Sequence, residues 1–133
     1  MKVLLITILV IYAFFSTFAQ AEWRYFEESY NGDILSIDFD SAEIQDKYIT
    51  YWQLIDLKRK QNGVASAAEY IKLNCDRKVK TYQRLQVIAY AKSGGNAPTS
   101  NQKVVDPVWM HAAPESIYEI TFERLCEAME LLR

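Results

Sequence analysis

Two cysteines, and only two, constrain this chain of 133 residues more than any other feature, because they sit in stretches of different periodicity. Cys75 ends a run, residues 67–75, in which Glu69, Ile71, Leu73 and Cys75 share one face and Tyr70, Lys72 and Asn74 the other. Period two is the signature of a half-buried strand. Cys126 lies beside the stripe Tyr118, Phe122, Leu125, Met129 and Leu132, whose four-three spacing is that of an amphipathic helix. A bridge between the two would pin that helix to the strand. Two cysteines allow one intramolecular pairing. It would close a loop of about fifty residues, a constraint worth about 4 kcal/mol on the chain-entropy model. Two unpaired core thiols are the alternative, and the redox compartment separates the readings.

The N-terminus speaks to compartment. Lys2 precedes an apolar run, residues 3–18, broken only by Thr7 and Ser16, and Ala19-Gln20-Ala21 follows as a small-residue cleavage site. Residues 1–21 are therefore expected to be a signal peptide, with an uncleaved anchor as the alternative for which the run is short. No cysteine follows the apolar run, so no lipid attachment is expected there. Residues 22–133 then form one domain, large enough for a thin core that a disulfide would support.

Charge is segregated along the chain. Residues 22–46 hold eight acids and one base, residues 47–103 eleven bases and three acids, and residues 104–133 six acids and two bases. The folded surface is either two-faced or has its charges interleaved across neighbouring strands.

Taken in order, Trp23 to Phe26 reads as a first strand, Asn31-Gly32 as a turn, and residues 34–39 as a second strand with Leu35, Ile37 and Phe39 on one face. Residues 40–45 read as a polar connection. Residues 47–57, rich in Tyr, Ile, Thr and Trp, give a strong strand signal. Residues 58–63 read as a basic loop. Residues 67–75 and 78–91 form a hairpin, with Leu85, Val87 and Ala89 on one face and Tyr82, Ile88 and Tyr90 on the other. Residues 92–102 read as a long flexible loop. Residues 104–111 read as a last short strand that Pro107 delays or confines to an edge. Ser116 with Glu119 three residues on is a capping box that opens the C-terminal helix. The expected fold is α+β: an antiparallel, roughly six-stranded sheet with one helix packed on it and one disulfide.

Catalytic sets are missing from this inventory. His111 is the single histidine, which removes His-ligated metal clusters and most triads, and no phosphate-cradling or dinucleotide-binding glycine motif is present. Asp38, Asp40 and Glu43 read as solvated acids rather than a carboxylate pair. Neither an enzyme, a metal, a cofactor nor a nucleic-acid partner is expected. Two surface features are suited to binding. Lys58, Arg59 and Lys60 form a basic run, with Arg77, Lys78 and Lys80 as candidate neighbours, and such a run suits an acidic glycan or protein patch; a solubilising tip is the plainer reading. The aromatic excess of Trp23, Tyr25, Phe26, Tyr30, Tyr48, Tyr51 and Trp52 suits a protein interface or strand-face packing equally.

At this point the residues resemble a known family. The stretch Tyr70-Ile-Lys-Leu-Asn-Cys75, residues 80–95, and Ala113-Pro114-Glu115-Ser116 running on to Leu125-Cys126 are similar to the bacterial surface-adhesin protein E-like domain. So are Asp33-Ile-Leu-Ser-Ile-Asp38 and the strand Tyr51-Trp52-Gln-Leu-Ile-Asp56. The resemblance implies an antiparallel sheet crossed by a C-terminal helix and closed by a Cys75–Cys126 disulfide. It also implies a surface role, since the name-giving member is a surface protein of a Gram-negative pathogen that binds host vitronectin, laminin and plasminogen. Two departures bear on that role. The adhesin is a lipoprotein, whereas this chain lacks a lipidation cysteine and is expected in the periplasm or secreted. The adhesin's bases lie just before its cysteine strand, whereas here the basic run lies earlier, at Lys58 to Lys60. The reading is an exported, non-enzymatic adhesin E-like module that contacts extracellular-matrix or envelope proteins or acidic glycans, with a dimer left open. A periplasmic accessory protein without matrix binding is the alternative.

Overall fold

The computed structural model describes residues 21–131, so the expected signal peptide lies, except for Ala21, outside the described residues. Among the described residues seven strands precede one helix: β1 Arg24–Glu28, β2 Ile34–Gln45, β3 Tyr48–Gln61, β4 Val64–Asn74, β5 Thr81–Lys92, β6 Asn96–Lys103, β7 Met110–His111 and α1 Ile117–Leu131. The six main strands pair antiparallel in sequence order, and the short β7 pairs with the start of β5, beyond the reach of β6. Short turns suffice for such a meander, because antiparallel neighbours need no crossover. The expected antiparallel sheet with a C-terminal helix and one disulfide is the observed one.

The β3–β4 turn explains where the basic run goes. Asn62 and Gly63 both have positive φ, 50° and 78°, and Gln61 pairs with Val64 across them. Two central residues with φ > 0 make the hairpin turn whose twist matches the flanking strands. Lys58, Arg59 and Lys60 are therefore the last residues of a strand arm, not a loop.

Two more segments expected as connections are strands. Residues 40–45 are the second half of β2, which resumes pairing at Glu43 opposite Thr50 after an irregularity that begins at Asp38. Most of the expected loop 92–102 belongs instead to β6, residues 96–103, exposed along its whole length. Both are held by backbone pairing and carry little apolar alternation, so the pattern that reports half-buried strands is silent there. Tyr82 also changes sides. Arg84 pairs with Ile71 but Gln86 with Tyr70, so Leu85 is an extra residue in β5. The resulting bulge flips the face, and Tyr82 packs with Ile71 and Leu73 rather than with Ile88 and Tyr90.

The core lies between α1 and one face of the sheet. Ile37, Ile49, Tyr51, Ile71, Leu73 and Tyr82 meet Phe122, Cys126 and Met129. Phe39, expected on this face, is 43% exposed and lies within the irregular stretch of β2, where it has no register partner on β3. Ser116 caps the helix by accepting from the Glu119 N–H at 3.3 Å, while the Glu119 carboxylate accepts from the N–H of Glu115. Leu132, the last member of the expected stripe, lies outside the described residues. No helix among the described residues is long and apolar enough to cross a membrane.

Candidate functional site

Cys75 and Cys126 are bonded, with Cα atoms 5.4 Å apart and a sequence separation of 51. The bridge joins the residue just after β4 to the middle of α1. Ion pairs hold the same helix on both sides: Arg77 with Glu130 at 2.9 Å beyond β4, and Arg124 with Glu27 at 2.6 Å on β1. Lys80 and Glu123 add a 3.8 Å pair. These pairs are exposed, apart from a half-buried Glu27, and worth little singly. They do decide a question of charge, because the bases of the β4–β5 turn face helix acids.

A polar network under the helix escaped the sequence reading. Glu69 is buried on the core face of β4, accepting from Gln53 Nε2 at 3.1 Å and from the Tyr118 hydroxyl at 2.9 Å, with Arg84 at 3.6 Å. The Tyr51 hydroxyl donates in turn to Gln53 Oε1 at 3.0 Å. Burial, and then the charge of Glu69, push the Tyr51 and Tyr118 phenols well above their ordinary range, so both stay protonated donors. Period two already placed Glu69 facing the core; what the sequence did not reveal is the set of donors that makes a buried carboxylate tolerable.

Lys58, Arg59 and Lys60 stand exposed on the β3 arm. The chain is braced there by the Lys58 N–H, which donates to Asp33 Oδ1 at 2.9 Å. Lys58 lies across Gly32, whose φ is +90° and where an added Cβ would come within 2.6 Å of Lys58 Cδ. Among the described residues none of the three bases is in an ion pair. The proposed reinforcement by Arg77, Lys78 and Lys80 fails, because the antiparallel pairing puts their turn at the far end of β4. The 11 residues of β4 separate the two turns, a span of about 35 Å.

The sheet face away from the helix carries aromatic side chains. Trp52 stacks on Tyr70 with centroids 5.2 Å apart, and Tyr48 on Trp109 at 5.7 Å, with Lys72 Nζ 4.6 Å from the Tyr48 centroid. A solvent-open hollow of about 490 Å³ sits on this face, walled by Trp23, Trp52 and Tyr90, with Asp38 and Asp40 in its lining. The aromatic excess thus divides: Tyr51 is core, while Trp23 and Trp52 line a surface concavity. His111 is exposed beside the Val79 carbonyl, and no cluster of His, Cys, Asp or Glu among the described residues is placed to hold a metal.

Comparison with known proteins agrees with this architecture. Crystal form II of Haemophilus influenzae protein E is 14% identical and superposes over 82% of this chain and 93% of that one, with a TM-score of 0.58. The selenomethionine form of that protein gives 14% identity, 81% and 91% coverage and a TM-score of 0.60. Protein E from a non-typeable strain gives 13%, 86% and 82%, and 0.58. At such identities the likeness is one of fold. No curated protein matches the chain. The family model of surface-adhesin protein E matches residues 23–127, from before β1 into the last turns of α1. On that match, which spans both cysteines and every strand, the chain belongs to the surface-adhesin protein E family.

Proposed function

We propose that this chain is an exported, non-enzymatic binding module of the bacterial envelope, and that Lys58, Arg59 and Lys60 form its contact to matrix or envelope proteins or acidic glycans. The observation that carries the reading is the family match across residues 23–127. The choice of surface rests on charge. Bases at the β4–β5 turn are partly neutralised by Glu123 and Glu130, whereas the three on the β3 arm project with only Asp33 braced at their base. An exposed cluster of one sign steers an oppositely charged partner and raises its encounter rate.

Export is tested by the intact mass of the chain recovered from periplasm and medium. Cleavage after Ala21, giving a chain that begins at Glu22, is the expected result; a full-length chain retained in the membrane fraction contradicts export. Binding is tested by capture of the oxidised chain on immobilised heparin, vitronectin and laminin. Saturable capture on at least one supports the module. Capture on none leaves a periplasmic accessory role, in which the aromatic face meets an envelope partner.

A further inference from the structure

We propose that the hollow on the helix-free face is a binding site for a basic side chain, the guanidinium or ammonium group of an arginine or lysine presented by a partner peptide. The site is distinct from the basic arm and has the opposite charge preference.

Its walls and its charge come from different elements. Asp38 pairs with Trp52 in the sheet register, and the pairing breaks immediately after it. Ser41 pins the irregular stretch, its hydroxyl donating to the Asp38 carbonyl at 2.6 Å and accepting from the Trp52 N–H at 2.9 Å. Asp38 lines the hollow from its register position opposite Trp52, and Asp40, within the irregular stretch, lines it as well. Trp23 and Tyr90 converge over Gly95, where an added Cβ would stand 3.4 Å from Trp23 Nε1 and 3.8 Å from Tyr90 Cε2. Trp52, stacked on Tyr70, fixes the remaining wall.

The Asp38 carboxylate is the second, independent observation. Its Oδ1 is shut off from solvent and has no hydrogen-bond partner among the described residues. That oxygen is closed to a ligand, but with no donor on it the Asp38 charge is left uncompensated beside the hollow, where a seated cation would offset it. Among the described residues no base lines the hollow, so none of them supplies the compensating group from its lining. Aromatic faces attract cations and tolerate the apolar stem of a long basic side chain. Two carboxylates and three aromatic rings around one open concavity therefore select a cation with an apolar stem and N–H donors over an anion or a neutral apolar group.

The test uses the signal-cleaved chain, which begins at Glu22 and so keeps every lining residue of the hollow except Ala21, and two probes, N-acetyl-arginine methylamide and its neutral isostere N-acetyl-citrulline methylamide. Binding is read from the indole N–H resonances of Trp23 and Trp52, with Trp109, outside the hollow, as the internal control. The arginine probe should shift Trp23 and Trp52 saturably, leave Trp109 in place, and bind about tenfold more tightly than the citrulline probe. Asp38→Asn should lose about tenfold in arginine affinity without melting at a lower temperature. Equal binding of the two probes, or undiminished binding by Asp38→Asn, overturns the proposal, and so does the absence of a saturable shift with either probe. Tetramethylammonium binding as tightly as arginine overturns the role of N–H donors. If the new α-ammonium of Glu22 fills the hollow itself, acetylating it shifts Trp52 and no probe binds before acetylation, which overturns the assignment to a partner.

Discussion

The Tyr118 hydroxyl lies 2.9 and 3.0 Å from the two carboxylate oxygens of Glu69, joining the first turn of α1 to the middle of β4. This contact holds the helix to the middle of β4 by hydrogen bonding to a buried charge, and the Cys75–Cys126 bridge holds it covalently just past the end of that strand.

Removing the hydroxyl isolates the first. Tyr118→Phe keeps the ring, which stacks on Tyr82 at a centroid distance of 4.0 Å, and deletes one donor to Glu69. A hydrogen bond to a charged group is worth about 1.5–3 kcal/mol, and urea unfolding should show a loss in that range. An unchanged midpoint would show that Gln53 and Arg84 satisfy Glu69 without it.

The same network makes stability sensitive to alkali. Burial and the neighbouring Glu69 raise the Tyr51 and Tyr118 pKa in the folded state, so the folded chain holds these protons more tightly than the unfolded chain. Their contribution is complete below the unfolded tyrosine value of about 10 and is lost as pH rises above it. Urea midpoints should therefore decline above about pH 10, and less steeply in Tyr118→Phe. Equal slopes in the two proteins would contradict the raised Tyr118 value.

The helix stripe is tested at Phe122, which is 3% exposed. Phe122→Ala should cost about 3–5 kcal/mol. Glu123→Ala removes only the exposed pair with Lys80 and should cost less than about 1 kcal/mol. Equal melting temperatures for wild type and Phe122→Ala would place the stripe against solvent or a partner.

For the bridge, intact mass under non-reducing conditions should be two hydrogens lighter than that of the reduced chain, with no alkylatable thiol. Replacing both cysteines with Ser should cost about 2–5 kcal/mol, as is usual for small exported domains. Two free thiols in the natively folded chain would contradict the pairing.

Strands with one apolar and one polar face were legible in the sequence, and so was the capped helix. Ile71 and Leu73, and Phe122 and Met129, carry their periods openly, and two cysteines left one partner each. What stayed hidden was held by the backbone or by an inserted residue. The β6 arm is polar on both faces and exists through its ladder with β5. Leu85 shifts the phase of β5 without disturbing its composition, so Tyr82 appeared on the wrong face. The run Lys58-Arg59-Lys60 looked like a loop because its charge outweighed the Asn62-Gly63 turn signal that ends the strand. The hollow lay beyond reach because it joins Trp23, Asp38, Trp52 and Tyr90 from four separate segments, which only the sheet register brings together.

The basic arm is the central functional claim. The direct measurement is capture on heparin, vitronectin and laminin by the wild type and by a variant with Lys58, Arg59 and Lys60 all changed to Ser, each at low and at physiological salt. Charge at an exposed site is screened over about 8 Å at physiological ionic strength, so wild-type capture should weaken several-fold between the two conditions. The triple variant should bind several-fold more weakly at low salt, with little change in melting temperature, because these side chains are exposed. Capture that ignores both the salt and the triple change would contradict the account and move the contact to the aromatic face around Trp23 and Trp52.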